Sequence, residues 1–206
     1  MDDVRGLKEL QLDALKEVAN IGAGHAATAL SQLTGRTIMI GVPEVNIRPL
    51  EEVPELLGAS DEVIAAVLMH MMGDLTGRTL VLFPISSARF LCDILLRRPT
   101  GGTTDFEKME QSSIKEVGNI LASAYMNALS DFMGMMLVPS VPSLVIDLSA
   151  AILTTTYLNF GHDRDYVFCV DTRFRFEDGS APLRGHFLLL PDMPSLRAIF
   201  DAIRVT

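Results

Sequence analysis

Between residues 7 and 33 the apolar positions Leu7, Leu10, Leu12, Leu15, Val18, Ala19 and Leu30 recur at close to helical spacing. Gly35 follows where a stop belongs, so the pattern predicts one long helix. Its interior holds Gly22-Ala23-Gly24, where each glycine costs about 1 kcal/mol relative to alanine and either kinks the helix or admits a neighbouring backbone. A second long helix is predicted to run to about Met133 and stop at Gly134, with Thr104 and Glu107 as a capping box at its head. Shorter helices are predicted over 86–96, with Ser86 as N-cap, and from Asp192 and Pro194 to about Ile203. Strands are expected at 37–42 and 44–48, parted by Pro43, which offers no amide donor. Segments 62–72 and 78–83 read as a hairpin around Gly73-Asp74-Leu75-Thr76-Gly77. Further strands are expected at 136–138, 144–147, 150–160, 166–176 and 183–190, with a turn at 177–180, while 50–60 reads as a loop or short helix.

The two halves follow the same order. Aligning 15–47 with 114–146 without a gap gives 13 identities in 33 positions, among them Lys16/Lys115, Ile21/Ile120, Leu30/Leu129 and Gly35/Gly134. Farther on, Leu80-Val81-Leu82-Phe83-Pro84 matches Phe187-Leu188-Leu189-Leu190-Pro191, and Ser87, Arg89 and Asp93 match Ser195, Arg197 and Asp201. The turn-rich stretch 97–103 divides the copies, at about 7–96 and 104–204. Repeats of this length are too long for a solenoid. They predict an α/β (α+β) fold: a single pseudo-twofold domain with a mainly antiparallel sheet, two long helices and further covering helices.

Composition narrows the function classes. About half the residues are apolar, formal charge is −9 and no Lys/Arg cluster stands out, which argues against nucleic acid as a partner. Cys92 and Cys169 lie in apolar surroundings without CxxC spacing and read as buried free thiols of a reducing compartment. The acidic start and the short apolar runs predict neither secretion nor membrane insertion, so a cytoplasmic protein is expected. His25, His70, His162 and His186 are scattered without ligand spacing, and no metal or cofactor of its own is expected. The 11 methionines are read as core filling rather than an adaptable groove.

One polar pattern recurs in the duplication. Asp13, Glu17 and Asn20 are followed by Pro43, and Ser112, Glu116 and Asn119 by Pro142, each 99 residues later. The spacing i, i+4, i+7 places each polar trio in one stripe on one helix face. Asparagine is a poor mid-helix residue, so its repetition on a face turned away from the apolar positions needs a reason. One reason is structural: the Asn could cap the strand or turn near Pro43. The other is chemical. A carboxamide cannot remove a proton at neutral pH, but it donates and accepts hydrogen bonds and can orient a water. That suits hydrolysis of an activated phosphoryl bond, where positioning and charge stabilisation dominate. The Glu beside it suits docking to a lysine of the substrate better than general-base work.

The pattern Asp/Ser-x3-Glu-x2-Asn-x22-Pro, present twice, resembles the signature of the CheC phosphatase family of bacterial and archaeal chemotaxis. The resemblance covers essentially the whole chain. It implies dephosphorylation of the aspartyl phosphate of the response regulator CheY, with Asn20 and Asn119 orienting the water and Glu17 and Glu116 engaging the regulator. Asp13, Pro43, Ser112 and Pro142 complete the motif. It also implies binding to the receptor deamidase CheD, with Mg²⁺ residing in CheY. The internal duplication predicts a monomer. The rival reading is a non-enzymatic receiver-binding adaptor of the flagellar-switch type.

Overall fold

The first long apolar-periodic stretch forms α1 (Glu9–Thr34) and the second forms α3 (Lys108–Met133). The computed structural model describes residues 9–48, 61–160, 167–177 and 183–205. The segment 50–60 and most of the 177–180 turn lie outside these residues. Gly35 and Gly134 close the two helices with φ of 66° and 64°, a left-handed conformation that spares the Cβ clash other residues would meet. After α1 come β1 (Ile38–Ile40), β2 (Glu44–Arg48), the hairpin β3 (Val63–Gly73) and β4 (Gly77–Pro84), and α2 (Ile85–Leu95). After α3 come β5 (Leu137–Pro139), β6 (Ser143–Leu148), α4 (Ser149–Phe160), the hairpin strands β7 (Val167–Phe176) and β8 (Leu183–Pro191), and α5 (Met193–Val205).

All eight strands join one antiparallel sheet in the order β1-β7-β8-β4-β3-β5, with β2 also on β7 and β6 also on β3. The edge strands are exchanged. Glu44–Arg48 pair with Asp171–Val167 of the second copy, and Ser143–Leu148 pair with Leu68–Val63 of the first. At the centre β4 and β8, which match in sequence, run antiparallel side by side with Leu80 opposite Leu188, as a twofold axis through the sheet requires. The matched serines obey the same symmetry: Ser87 Oγ accepts the Arg184 N–H at 3.3 Å, and Ser195 Oγ accepts the Thr76 N–H at 2.8 Å.

Strand alternation divides the core between the sheet's faces. On one face Ala65, Val67, Val81, Phe83, Phe168, Val170 and Phe187 meet α1, α2, α3 and α5. On the other, Ile64, Ala66, Leu80, Leu82, Cys169 and Leu188 meet Ile152 and Leu153 of α4. The two long helices also pack on each other. A Cβ at Gly22 would lie 3.1 Å from the Tyr125 Cα, so this glycine admits the neighbouring backbone that the sequence allowed for. Tyr125 stacks on Phe187 at 4.9 Å between centroids, and its hydroxyl lies 2.6 Å from that of Thr172.

Three local expectations are corrected. Residues 150–160 were expected as a strand and form most of α4: Ile152, Leu153 and Thr156 are buried at helical spacing, so packing on the sheet overrides the β-propensity of the threonine run. Ser86 does not cap α2, whose N-cap is Pro84 with no side-chain bond. Thr104 and Glu107 do not form a capping box. Helix α3 starts three residues later than that pairing requires, Thr104 bonds Asp105 instead, and Glu107 is itself the N-cap. By contrast Asp192 does cap α5, its Oδ1 accepting the Ser195 N–H at 2.9 Å.

The connector between the copies is fixed by buried charge. Asp93 accepts the N–H groups of Gly101 and Thr103, both at 2.7 Å, and Arg98 pairs with the buried Glu110 at 2.6 Å. The backbone amide of Glu110, joined by the Arg98 guanidinium, holds that carboxyl below the ordinary glutamate value against the opposing effect of burial. Both cysteines are buried free thiols, as expected, and burial pushes the Cys92 thiol up to about 12.

Two predictions follow from this packing. A carboxyl with a depressed folded-state pKa stabilises the fold fully above its unfolded value, and that contribution disappears as pH falls through the folded one. Urea melts at about pH 6 and about pH 3 should therefore show a smaller acid loss for Glu110→Gln than for the natural chain, referenced to the unfolded glutamate range. For the glycines, a Cβ at Gly118 would lie 2.7 Å from Val67 Cβ, whereas one at Gly24 meets nothing within 4 Å. Gly24→Ala should gain up to about 1 kcal/mol from helix propensity, and Gly118→Ala should lose about 1–2 kcal/mol because overpacking outweighs the same gain. Thermal and urea unfolding of both variants check this.

Candidate functional site

Helix α1 turns Leu15, Val18, Ala19, Ala23 and Ala26 into the core. The stripe of Asp13, Glu17 and Asn20 is thereby left on the opposite side, and all three are exposed. Helix α3 buries Ile114, Val117, Gly118, Leu121 and Ala122, leaving Ser112 and Glu116 exposed and Asn119 half-buried. Each Glu and Asn pair thus comes together on one helix face. Among the described residues no side chain of Glu17, Asn20, Glu116 and Asn119 makes a hydrogen bond or ion pair, so the structural alternative of an Asn capping the turn near Pro43 is not what the structure contains. Their polar atoms stand ready for a partner.

The flanking motif residues are arranged differently in the two copies. Asp13 Oδ1 binds Lys16 Nζ at 2.9 Å across one helical turn, an exposed pair worth a few tenths of a kcal/mol. Ser112 replaces this carboxylate in the second copy. The prolines occupy matching breaks between edge strands. The Gly41 N–H donates to Arg173 O at 3.0 Å before Pro43, and the Ser140 N–H donates to His70 O at 2.9 Å before Pro142. Pairing resumes at Glu44 with Asp171 and at Ser143 with Leu68. Pro43 is buried and Pro142 half-buried, and each stands in the gap between the two paired segments of its edge strand.

The beds beneath the sites also differ. Gly118 lets α3 settle against Val67 directly ahead of Asn119. At the matching place α1 has Ala19, and an apolar cavity of about 50 Å³ opens between Leu15, Val18, Ala19, Val45, Phe168 and Leu189. Sequence reading did not anticipate this asymmetry, although the substitution of Gly118 for Ala19 was its visible trace. Elsewhere, His186 Nδ1 and Asp171 Oδ1 face each other at 3.6 Å on neighbouring strands, and burial lowers the histidine pKa despite the carboxylate. Among the described residues no three His, Cys, Asp or Glu side chains converge as a metal site requires, and no helix is long and apolar enough to cross a membrane.

Comparison with known proteins places this geometry in a family. Residues 10–47 and 109–146, the two segments that contain the stripes, each match the CheC-like family. The chain is 33% identical over 205 residues to the CheY-P phosphatase CheC of Bacillus subtilis, covering 98% of both chains. It belongs to the CheC-like family. A protein named putative CheY-P phosphatase CheC1 from Halobacterium salinarum is 30% identical over 66% of this chain and 68% of its own length. In three dimensions the fold resembles that of Thermotoga maritima FliY, with a TM-score of 0.78 and 19% identity over 97% of this chain and 98% of that one. The mixed architecture and mainly antiparallel sheet expected from the sequence are those of the family's fold.

The cavity beneath the first site gives a stability prediction. Ala19→Val adds apolar volume toward the cavity and should raise the melting temperature, since filling a void recovers about 20 cal/mol per Å² of cavity surface. Calorimetry on this variant would show the opposite sign if the helix already sits as close as it can.

Proposed function

We propose that this chain is a phosphatase of the CheY aspartyl phosphate, acting through Asn20 and Asn119 with Glu17 and Glu116 as docking groups. The observation that carries the reading is the pair of free amide and carboxylate side chains, exposed twice, on a chain similar along its whole length to a CheY-P phosphatase. Inserted into the regulator's active site, the amide accepts from and donates to the attacking water, fixing it in line with the phosphorus. The water oxygen forms the new P–O bond as the bond to the aspartyl oxygen breaks. The products are inorganic phosphate, which takes up a proton from the water, and the regulator's free carboxylate. Charge on the transferring group is met by the Mg²⁺ and cations that belong to the regulator. Glu17 or Glu116 pairs with a lysine of the regulator and sets the register of insertion.

Two features support this division of labour. Among the described residues no hydroxyl along either stripe is hydrogen-bonded to a base, Ser112 and Glu116 included, so on this reading the stripe's contribution is orientation of a reaction whose other components come with the substrate. The helices that carry the stripes are long and packed on both the sheet and each other, so the side chains rise from a rigid base. The same reading includes CheD as a second partner, as the family resemblance implies, and, from the duplication and the acidic start, a monomeric, cytoplasmic protein.

The deciding measurement is decay of phosphorylated CheY. Asn20→Ala combined with Asn119→Ala should lower kcat by about 100-fold or more while regulator binding persists, the range seen when one positioned hydrogen-bonding group is lost. Undiminished decay would leave the adaptor reading in its place. Glu17→Ala with Glu116→Ala should act mainly through KM, by about tenfold, as expected for groups that dock rather than react.

A further inference from the structure

Val42 and Val141 stand 99 residues apart, immediately before the motif prolines, and are one of the identical pairs between the copies. They are also the most exposed large hydrophobic residues described, at 87% and 88%. A single exposed valine needs no explanation. The same valine kept at the same place in two copies that share fewer than half their residues in this region, and equally uncovered in both, is not scatter.

Their position relative to the stripes follows from the strand course. Ser31 Oγ accepts the Ile38 N–H at 2.9 Å, and Val45 lines the cavity with Leu15, Val18 and Ala19. The chain from 38 to 45 therefore runs back along α1 from its last turns toward its middle. Four residues of extended chain from Ile38 cover about 13 Å, equivalent to about nine helical residues counted back from Ser31. Val42 thus lies beside the turn of α1 that follows Asn20. The Ser140–His70 hydrogen bond repeats the Gly41–Arg173 one, so Val141 has the same relation to Asn119. Beside each Asn on the helix itself stand Ile21, also exposed, and its match Ile120.

We propose that Val42 and Val141 are apolar docking residues for the receiver domain of the phosphorylated regulator, each seating one copy of it against the neighbouring Glu and Asn pair. The inference rests on the phosphatase reading for the identity of this partner. Its physical basis is independent: a lone exposed carboxylate and a lone amide orient a partner but hold it weakly, whereas covering a nearly bare valine removes apolar surface from water. Strand pairing on both sides of each valine holds its backbone before the partner arrives, so little order has to be gained on docking. The partner is therefore a protein surface with an apolar patch beside its phosphorylation site.

The test uses the full chain and the regulator loaded with Mg²⁺ and beryllofluoride, a stable mimic of its aspartyl phosphate, with Kd measured by calorimetry. Val42→Asp combined with Val141→Asp should weaken binding by about tenfold or more, raise KM for phosphoregulator decay equally, and leave kcat within about twofold. Both side chains are exposed, so the melting temperature should not move, and Val42→Ser with Val141→Ser provides a milder second variant. An unchanged Kd in both double variants overturns the proposal, as does a natural chain that does not bind the loaded regulator. A natural chain that binds but does not accelerate decay sinks the phosphatase reading alone, and docking is then judged by the valine variants' Kd.

Discussion

Each half of this chain completes the sheet of the other. The strands β1 and β2 leave their own hairpin unaccompanied and pair with β7, while β5 and β6 pair with β3. Neither copy therefore has a finished sheet edge or a finished helix bed by itself. Helix α1 follows its own edge strands across the sheet and comes to rest over β7 and β8, so Glu17 and Asn20 are supported by Phe168, Val170 and Leu189 of the second copy. Asn119 is seated next to Gly118, which rests on Val67 of the first. A one-residue slip in either exchanged pairing would turn the half-buried Val45, or Leu144 and Ile146, to solvent, so the hydrophobic pattern favours the register on which both candidate sites depend.

The same exchange explains how two copies can diverge around one kept pattern. Because each site stands on the other copy's hairpin, substitutions in either half alter the height and firmness of the opposite site without touching its polar residues. The present chain shows this. Glycine at 118 brings α3 against the sheet and leaves Asn119 half-buried, while alanine at 19 accompanies an apolar cavity and a fully presented Asn20. The carboxylate that ties Lys16 is a serine hydroxyl in the second copy, which leaves the neighbouring charge balance different by one unit.

Much of this was legible in the sequence where a signal is local and strong. The two long helices, their glycine stops and the two hairpins came from periodicity, and the duplication raised an ordinary helix spacing to a candidate site. The segment that became α4 was misread because Thr154, Thr155, Thr156 and Tyr157 favour strands in isolation, whereas the burial of Ile152, Leu153 and Thr156 on the far face of the sheet decides for helix. Caps were misread at Ser86 and Thr104 because side-chain capping depends on where the chain enters the helix, which neighbouring elements set. The strand exchange left no local trace at all. Pattern shows that a strand exists and which face is apolar, but its partner is chosen by packing across the whole sheet. The exposure of Val42 and Val141 was hidden for the same reason, since valine in a strand pattern is ordinarily buried.

The unengaged state of the two stripes is itself part of the argument for their use. A side chain that already donates or accepts within its own chain must break that bond to enter a partner's site, and the exchange returns little net free energy. The exposed side chains of Glu17, Asn20 and Glu116 would break no bond within the chain on entering a partner's site, and neither would the half-buried Asn119. The backbone beneath them is fixed by helix hydrogen bonds and by a core shared between both copies, so ordering costs are confined to a few side-chain torsions. Such an arrangement favours insertion over autonomous chemistry. It places hydrogen-bonding groups without partners inside the chain on a rigid surface, and on the proposed reading the reactive bond, the metal and the charge would come with the docking molecule.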